Sequence, residues 1–199
     1  MPRVAEFNRE EVLDRAVTLF WERGYFATSI KALGEALELR PGSLYAAFGS
    51  KEGLFLEALD RYHHAMGEVL AEEVRNSPSI MDGIGHYLHR LAGACTNAEQ
   101  PPARACMLVK TLLEVNRHEP ALQQRVNAIL DSIEADLTRL LEQARGAGEL
   151  KPDTDCPRLA RFIQAQIIAI RTFAQRETDP THVHELVGDI QATLGAYRS

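Results

Sequence analysis

Three side chains between residues 28 and 51 have the chemistry needed to hold a phosphodiester backbone. Thr28 precedes a predicted helix, where its hydroxyl and the first backbone amides can donate to a phosphate oxygen. Lys51 begins a later helix and can add a charge-assisted hydrogen bond. Tyr45 has a hydroxyl on a rigid ring, which suits a grip on the same backbone. A packing role for Tyr45 is the alternative, because an aromatic residue with a polar tip often lies half buried.

Reading a base sequence requires side chains that reach the edges of the base pairs. Arg40 and Ser43 are the best candidates for this task, and Lys31 is the second. An arginine that donates two hydrogen bonds to guanine contributes about 1–3 kcal/mol of discrimination. Between Arg40 and Ser43, Pro41 suits the first position of a helix, and Gly42 allows a close approach to the sugar–phosphate wall.

Two short predicted helices joined by a tight turn position these side chains. The first covers about residues 29–36 with Thr28 as its N-cap, and the second runs from Pro41 to about residue 47. An amphipathic helix before them ends at Gly24, and Ser50 caps a long fourth helix that reaches about residue 75. The arrangement predicts a helix-turn-helix, whose second helix enters the major groove of DNA.

The same string resembles the DNA-binding domain of TetR-family transcriptional regulators. The resemblance implies a DNA-binding repressor that is not an enzyme, with a nine-helix TetR-like fold and phosphate contacts from Thr28, Tyr45 and Lys51. Matches to the family pattern occur at Gly24, Thr28, Ser29, Ile30, Leu33, Gly42, Ser43, Leu44, Tyr45, Phe48, Ser50, Lys51, Glu52 and Leu54.

Three features depart from that pattern. Glu38 replaces the usual turn glycine and is expected to adopt a positive φ at some cost. Arg40 replaces the usual small N-cap of the second helix and is a poor cap. Ala46 and Ala47 stand where many members have a ring such as that of histidine. The second helix therefore has few side chains that can read bases.

The rest of the chain is also predicted to be helical, so the fold class is all-α. We expect a DNA-binding domain over residues 1–50 and a helical effector-binding and dimerisation domain over 51–199, linked by the helix at about 51–75. Helices are predicted over about 79–97, 103–116, 119–146, 154–176 and 179–197.

The last two predicted helices have an apolar face that fits a four-helix bundle formed by two chains. In TetR-like regulators these helices pack against a second chain, so the resemblance implies a homodimer. The alternative is that the face belongs only to the core of one chain. The predicted interface residues are Phe162, Ile163, Gln166, Ile167, Ile170, Ile190, Leu194 and Tyr197.

Cys106 is the candidate for a redox or electrophile sensor outside the helix-turn-helix. It lies near a predicted helix start, with Lys110 one turn further on and Arg104 two residues before it. Nearby cations and a helix N-terminus lower a thiol pKa and favour the thiolate. The segment is also similar to the G-C-L-x-V-K stretch of the bacterial N-ethylmaleimide reductase repressor, which responds to electrophiles and oxidants. The alternative is a small buried apolar residue.

A small-molecule pocket among the middle helices is the commoner trigger in the family. Each lining residue also fits an ordinary core position. No cofactor and no metal are expected; Asp82, His86 and His89 share a helix face, but a solvated polar face is the favoured interpretation. The candidate pocket residues are Tyr62, Met66, Tyr87, Leu91, Met107, Leu137, Phe162 and Phe173.

The composition favours a cytoplasmic protein of ordinary globular type. The 199-residue chain has a net charge of −6, which counts mildly against a general DNA binder and is neutral for a site-specific one. We expect no signal peptide, no membrane-spanning run and three free cysteines. An all-helical enzyme is a weaker alternative, because no phosphate loop, nucleophile elbow or zinc motif occurs. A helical adaptor that only retains the fold of a DNA-binding domain is the third alternative.

Overall fold

The computed structural model describes residues 7–97, 105–115, 119–176 and 179–199. Within these ranges the chain forms nine helices and no strand, which confirms the predicted all-α class. The helices are α1 (Arg9–Arg23), α2 (Ile30–Leu37), α3 (Pro41–Phe48), α4 (Lys51–Arg75), α5 (Ile80–Thr96), α6 (Met107–Glu114), α7 (Pro120–Gly146), α8 (Cys156–Ala174) and α9 (Pro180–Gly195).

The cap of α2 differs from the sequence prediction. Ser29, not Thr28, has the extended N-cap conformation, and its hydroxyl oxygen accepts from the amide of Ala32 at 3.1 Å. Thr28 is fully buried and its hydroxyl donates to the carbonyl of Gly24 at 2.6 Å. Thr28 therefore closes the turn between α1 and α2, and the neighbouring hydroxyl is left to cap the helix.

The turn between α2 and α3 has the strained residue that the sequence predicts. Glu38 adopts the left-handed conformation with φ 55°, and the amide of Leu39 donates to the carbonyl of Gly34 at 3.0 Å. A Cβ on Gly34 would lie 2.9 Å from the carbonyl oxygen of Leu39, so a small residue is needed for this tight closure. Arg40 takes the N-cap position of α3 without a side-chain capping bond to any described residue.

The chain divides into two compact units, of which the first comprises Met1–Ala65 and Met107–Ile129. Its core includes Phe20 and Phe55, whose rings meet edge to face at 4.7 Å. This unit contains the whole predicted DNA-binding region 1–50, the first part of α4, and also α6 and the beginning of α7. The predicted domain boundary at residue 50 stays a prediction.

The second unit comprises Met66–Cys106 and Leu130–Ser199. Its core is formed mainly where α5 packs on α8 and α9, and where α8 packs on α9. The carboxylate of Glu149 accepts from the amides of Ile80 and Met81 at 3.1 and 2.9 Å, which satisfies the free donors at the start of α5. Gly83 lets α5 approach the end of α4, since a Cβ there would lie 2.5 Å from the Cα of Val74.

One helix is shorter than predicted. The sequence predicts a helix over about 103–116, whereas α6 begins at Met107 and ends at Glu114. Residues 105, 106 and 115 are described and are not helical, while the other predicted end residues lie outside the described ranges. The long α4 has the predicted bounds because Ser50 caps it, its hydroxyl oxygen accepting from the amide of Gly53 at 2.9 Å.

Candidate DNA-binding surface

Helix α3 buries one face and exposes the face that would read DNA. Leu44 and Phe48 are buried in the first unit, whereas Tyr45 is 47% exposed. At its N-terminus the predicted contact residues Arg40, Pro41 and Gly42 are exposed, and Ser43 is half-buried. The helix therefore presents its first turn and Tyr45 together, as a recognition helix must.

Helix α2 contributes a cation beside this turn. The predicted contact residue Lys31 is exposed, and its Nζ lies 3.9 Å from the carboxylate of Glu35, which is a loose pair. A shallow groove runs along this side of the helix-turn-helix and is lined by Ile30, Lys31, Gly34, Glu35, Glu38, Leu39, Arg40 and Pro41.

Lys51 is engaged within the first unit. Its Nζ lies 4.3 Å from the centre of the Tyr25 ring, a cation–π contact. Burial lowers the pKa of Lys51, and the carboxylates of Glu114 and Glu119 partly offset that effect. Burial also raises the pKa of the Tyr25 hydroxyl. The ammonium thus lies at the start of α4 on an aromatic face.

Comparison with known proteins identifies the family to which this geometry belongs. The family model described as "Bacterial regulatory proteins, tetR family" matches residues 12–58, which include the whole helix-turn-helix. The model described as "Tetracyclin repressor-like, C-terminal domain" matches residues 88–188, just over half of the 199-residue chain. The chain belongs to the TetR family of bacterial regulatory proteins.

Individual relatives agree with this assignment. The chain is 31% identical over 182 residues to the HTH-type transcriptional repressor ComR of Escherichia coli, covering 86% of this chain and 83% of ComR. It is 31% identical to a cysteine mutant of the TetR-family regulator CifR complexed with 26-base-pair operator DNA, with a TM-score of 0.85 over 96% of this chain and 98% of that one.

A third solved structure shares the fold alone. Reduced NemR of E. coli superposes with a TM-score of 0.79 at 19% identity, covering 96% of this chain and 97% of NemR. The protein is thus a TetR-family transcriptional regulator and not an enzyme, as the sequence predicts, because its family and relatives are transcriptional regulators. No helix in the described ranges is long and apolar enough to cross a membrane.

Of the candidate sensor residues in this TetR-family chain, Cys106 lies beside a helix start, as the sequence predicts, whereas Lys110 is directed elsewhere. Cys106 is 6% exposed and directly precedes α6. Lys110 donates from Nζ to the carbonyl of Trp21 at 2.6 Å, so its ammonium is directed to the end of α1. Arg104 lies outside the described residues. Burial raises the pKa of the Cys95 and Cys156 thiols, which keeps both protonated at neutral pH.

The candidate pocket residues fall in both units and are largely core. Tyr62 and Met107 are buried in the first unit. In the second unit Tyr87, Leu91 and Leu137 are buried, and Met66, Phe162 and Phe173 are half-buried.

Arg171, which is not among the residues predicted from the sequence, is a charged residue that is only 7% exposed. It donates from Nη2 to the Sδ of Met66 at 2.9 Å, and its charge lowers the pKa of Tyr87, although burial raises that pKa more strongly. Because arginine is normally a surface residue, the apolar pattern of α8 gave no signal for it.

Half of the predicted dimer face is core. Ile163, Ile170, Ile190 and Leu194 are buried within the second unit itself, so they have little surface left for another chain, and their place in a dimer interface stays a prediction. Apolar residues at helical spacing are expected both in the core of one chain and at an interface with a second chain, and the sequence pattern does not distinguish these two kinds of burial. The remaining predicted residues are half-buried: Phe162, Gln166, Ile167 and Tyr197.

The polar residues on α5 are each engaged separately. Asp82 accepts from the hydroxyl of Ser79 at 2.7 Å, His86 Nδ1 lies 2.9 Å from Ser77 Oγ, and His89 Nε2 lies 2.9 Å from Gln191 Oε1. No group of three potential metal ligands occurs among the residues that the structure describes.

Proposed function

We propose that the protein is a homodimeric repressor that binds a palindromic operator through α2 and α3 and is released by a small molecule or by modification of Cys106. The observation that carries this proposal is the exposed first turn of α3, with Arg40 and Tyr45 directed away from the core. The DNA complex of CifR, which has similar sequence and fold over nearly the whole chain, supports an operator as the partner.

The proposed DNA contacts fall into two groups. Arg40 and Ser43 read base edges, because they stand at the start of the helix that enters the major groove. The phosphate contacts come from Tyr45 and the backbone amide of Gly42, since Pro41 beside it has no N–H to donate. Lys31, the second candidate for base readout in the sequence, is assigned to phosphate here because it lies on α2, outside the recognition helix. These residues are exposed or half-buried, so they can meet DNA without unfolding the unit.

Thr28 and Lys51 need a modified role. Since the hydroxyl of Thr28 already donates to the Gly24 carbonyl, the exposed Ser29 and the first amides of α2 offer the phosphate contact instead. Thr28 then contributes by fixing the turn. Lys51 reaches a phosphate by moving its ammonium from the face of Tyr25 towards the DNA.

The proposed dimer uses the outer faces of α8 and α9. Phe162, Ala165, Gln166 and Ala169 recur at helical spacing on α8 and none of them is fully buried. Exposed small residues follow one side of α9 and permit close helix approach: Gly188, Ala192 and Gly195. A two-fold dimer places two recognition helices about 34 Å apart, in successive major grooves of a palindrome.

Release follows when an effector shifts the dimer to a separation that no longer fits both grooves. The burial of Cys106 favours a non-covalent ligand over direct thiol attack, because modification requires access to the thiol. The thiol route stays the second candidate and rests on the position of Cys106 immediately before α6. Both routes fit a regulator that acts in the cytoplasm.

The test begins by selecting duplexes from random-sequence DNA with the full-length wild-type protein. Fluorescence anisotropy on a selected duplex, with unrelated DNA as competitor, then compares the wild type with Arg40→Ala and with Arg139→Ala, an exposed arginine on α7. We expect Arg40→Ala to lose discrimination and Arg139→Ala to bind as the wild type. Failure of the wild type to enrich any sequence would contradict the proposal. Treatment with N-ethylmaleimide, alongside Cys106→Ser, separates the thiol route from a non-covalent one.

A further inference from the structure

Helix α6 holds the C-terminal end of α1 with a lysine. The Nζ of Lys110 donates to the carbonyls of Trp21 and Glu22, at 2.6 and 3.2 Å. Both carbonyls belong to the last turn of α1, where helical oxygens lack partners within the helix and the helix dipole is negative. An ammonium there donates to these carbonyls and interacts favourably with the dipole.

The same helix holds the following turn with a carboxylate. The Oε2 of Glu114 accepts from the amides of Tyr25 and Phe26, at 2.7 and 3.4 Å. Gly24 makes this approach possible, because a Cβ on it would lie 1.8 Å from the Oε1 of Glu114. Gly24 also has φ 85°, so the absence of a side chain permits both this backbone conformation and the approach of the Glu114 carboxylate.

The two contacts act on one short stretch of chain. Lys110 and Glu114 lie one helical turn apart and therefore share a face of α6. The adjoining side of the helix is held by Met107, Leu108 and Thr111, all of them buried. The helix thus offers a fixed platform with a cation for the end of α1 and an anion for the turn that follows.

The stretch that α6 holds leads directly into the DNA-binding surface. The carbonyl of Gly24 accepts from the Thr28 hydroxyl, and Ser29 then caps α2. Tyr25, whose amide Glu114 binds, also carries the ammonium of Lys51 on its ring. The position of the α2 N-terminus and of Lys51 therefore depends on where this turn is held.

We propose that Lys110 and Glu114 are positioning residues for operator binding, which fix the α1–α2 turn and through it the start of α2. The inference rests on the proposed function, because it assigns these side chains to the same DNA site. Neither residue touches DNA; each acts through the turn. Removing Glu114 takes away the acceptor of the part-buried Tyr25 amide, and removing Lys110 takes a charged donor from the Trp21 carbonyl. The turn must then be ordered again when DNA binds.

The first experiment measures binding to the wild-type-selected duplex. We expect Glu114→Ala to lower the affinity about tenfold, since charged hydrogen bonds of this kind have roughly that effect on an equilibrium. Glu114→Gln is expected to bind within about twofold of the wild type, because its amide oxygen accepts from the same N–H groups. Lys110→Met is expected to weaken binding, and Glu68→Ala, an exposed residue of α4, to leave it unchanged. Wild-type affinity in Glu114→Ala would overturn the proposal.

The second experiment needs no DNA. In the full chain, amide hydrogen exchange at Tyr25 and Phe26 is expected to accelerate about tenfold in Glu114→Ala, while the amides of α1 keep their wild-type rates. Acceleration across all of α1 would indicate general loosening and would overturn the local role, as would unchanged rates at Tyr25. If the wild type selected no duplex but this local acceleration occurred, the proposed function would be contradicted, whereas the contact of Glu114 with the turn would be confirmed.

A double-mutant comparison isolates the carboxylate from the backbone strain at Gly24. Gly24→Ala is strained in any background because of its positive φ, and it also meets Glu114. We therefore expect Gly24→Ala to lower the thermal midpoint by less in a Glu114→Ala background than in the wild type. Equal losses in the two backgrounds would show that the carboxylate does not lie on residue 24 and would overturn the proposal.

Discussion

Arg15 on α1 donates from Nη1 to the Oε1 of Glu38 at 2.8 Å, so the first helix contacts the one described non-glycine residue with a positive φ. Arg15 also pairs with Glu11 at 3.0 Å, one turn earlier on the same helix. The exposed pair adds little stability by itself. Its effect is to neutralise a carboxylate that stands two residues before Arg40, on the side of the domain proposed to face phosphate.

Replacing Glu38 by glycine is expected to stabilise the protein slightly. The left-handed conformation costs a residue with a Cβ roughly 1 kcal/mol or more, and glycine removes that cost. Part of the gain is offset because glycine raises the entropy of the unfolded chain and the Arg15 contact is lost. The expected net gain is a few tenths to about 1 kcal/mol in urea unfolding. The control is Glu35→Gly, inside α2, which is expected to lose about 1 kcal/mol. Equal losses in the two variants would contradict the strained-turn interpretation.

Substitutions of Lys31 and Arg40 are expected to change different properties of DNA binding. A lysine that contacts phosphate binds every sequence alike, so Lys31→Gln should reduce the salt dependence of the binding constant by about one unit of slope. Arg40→Ala should instead lose about 1–3 kcal/mol of preference for the selected duplex over its best single-base variants. Anisotropy titrations at several salt concentrations measure both quantities. An unchanged salt slope in Lys31→Gln would remove that residue from the phosphate contacts.

The helix-turn-helix was predictable in detail because its signals are local. Glu38 at the turn, Pro41 at a helix start and Ser50 before a long helix each determine backbone conformation within a few residues. The error at Thr28 has a physical cause. Two adjacent hydroxyl residues can each cap α2, and the choice depends on the Gly24 carbonyl, which only the folded turn brings to Thr28.

Contacts between distant segments were not predictable. The apolar pattern of α8 correctly indicated burial but not which surface covers it, so Ile163 and Ile170 were assigned to a partner although they lie in their own core. Lys110 and Glu114 bind backbone groups that precede them by nearly ninety positions in the chain, and backbone groups leave no mark in a sequence. For the same reason Lys110 was assigned to Cys106, its neighbour in the chain.

Two glycines of α5 are expected to respond oppositely to alanine. A Cβ on Gly83 would lie 2.5 Å from the Cα of Val74, and backbone cannot move aside easily. Gly83→Ala should therefore cost about 1–3 kcal/mol. Gly93 has no neighbouring atom within 4 Å of its Cβ position among the described parts of the chain, so Gly93→Ala should gain up to about 1 kcal/mol from helix propensity. Thermal unfolding at a fixed protein concentration checks both, and a gain in Gly83→Ala would contradict the close helix approach.

The carboxyl of Asp82 is expected to make part of the folding stability depend on pH. The hydrogen bond from Ser79, followed by that from Arg198, lowers the pKa of this carboxyl. Because the folded pKa lies below the unfolded one, the contribution is complete above the unfolded value and is lost as pH falls through the folded value. The thermal midpoint of Asp82→Asn should therefore lie below that of the wild type at neutral pH and approach it below about pH 4. Asp153→Asn, at an exposed position, should follow the wild type throughout, and a constant gap for Asp82→Asn would contradict the linkage.

Ala165 tests which face of α8 meets a second chain. It is exposed and lies between Phe162 and Ala169 on the side of the helix turned away from the core. An arginine there would place an unpaired charge in the proposed two-fold interface, so Ala165→Arg should sediment as a monomer at micromolar concentration while keeping its helical circular dichroism. The monomer can engage only one half-site, so it should also lose most of its affinity for a palindromic duplex. Ala135→Arg makes the same change at an exposed position on α7 and should remain dimeric. If Ala165→Arg also remained dimeric, the interface would have to lie on another face.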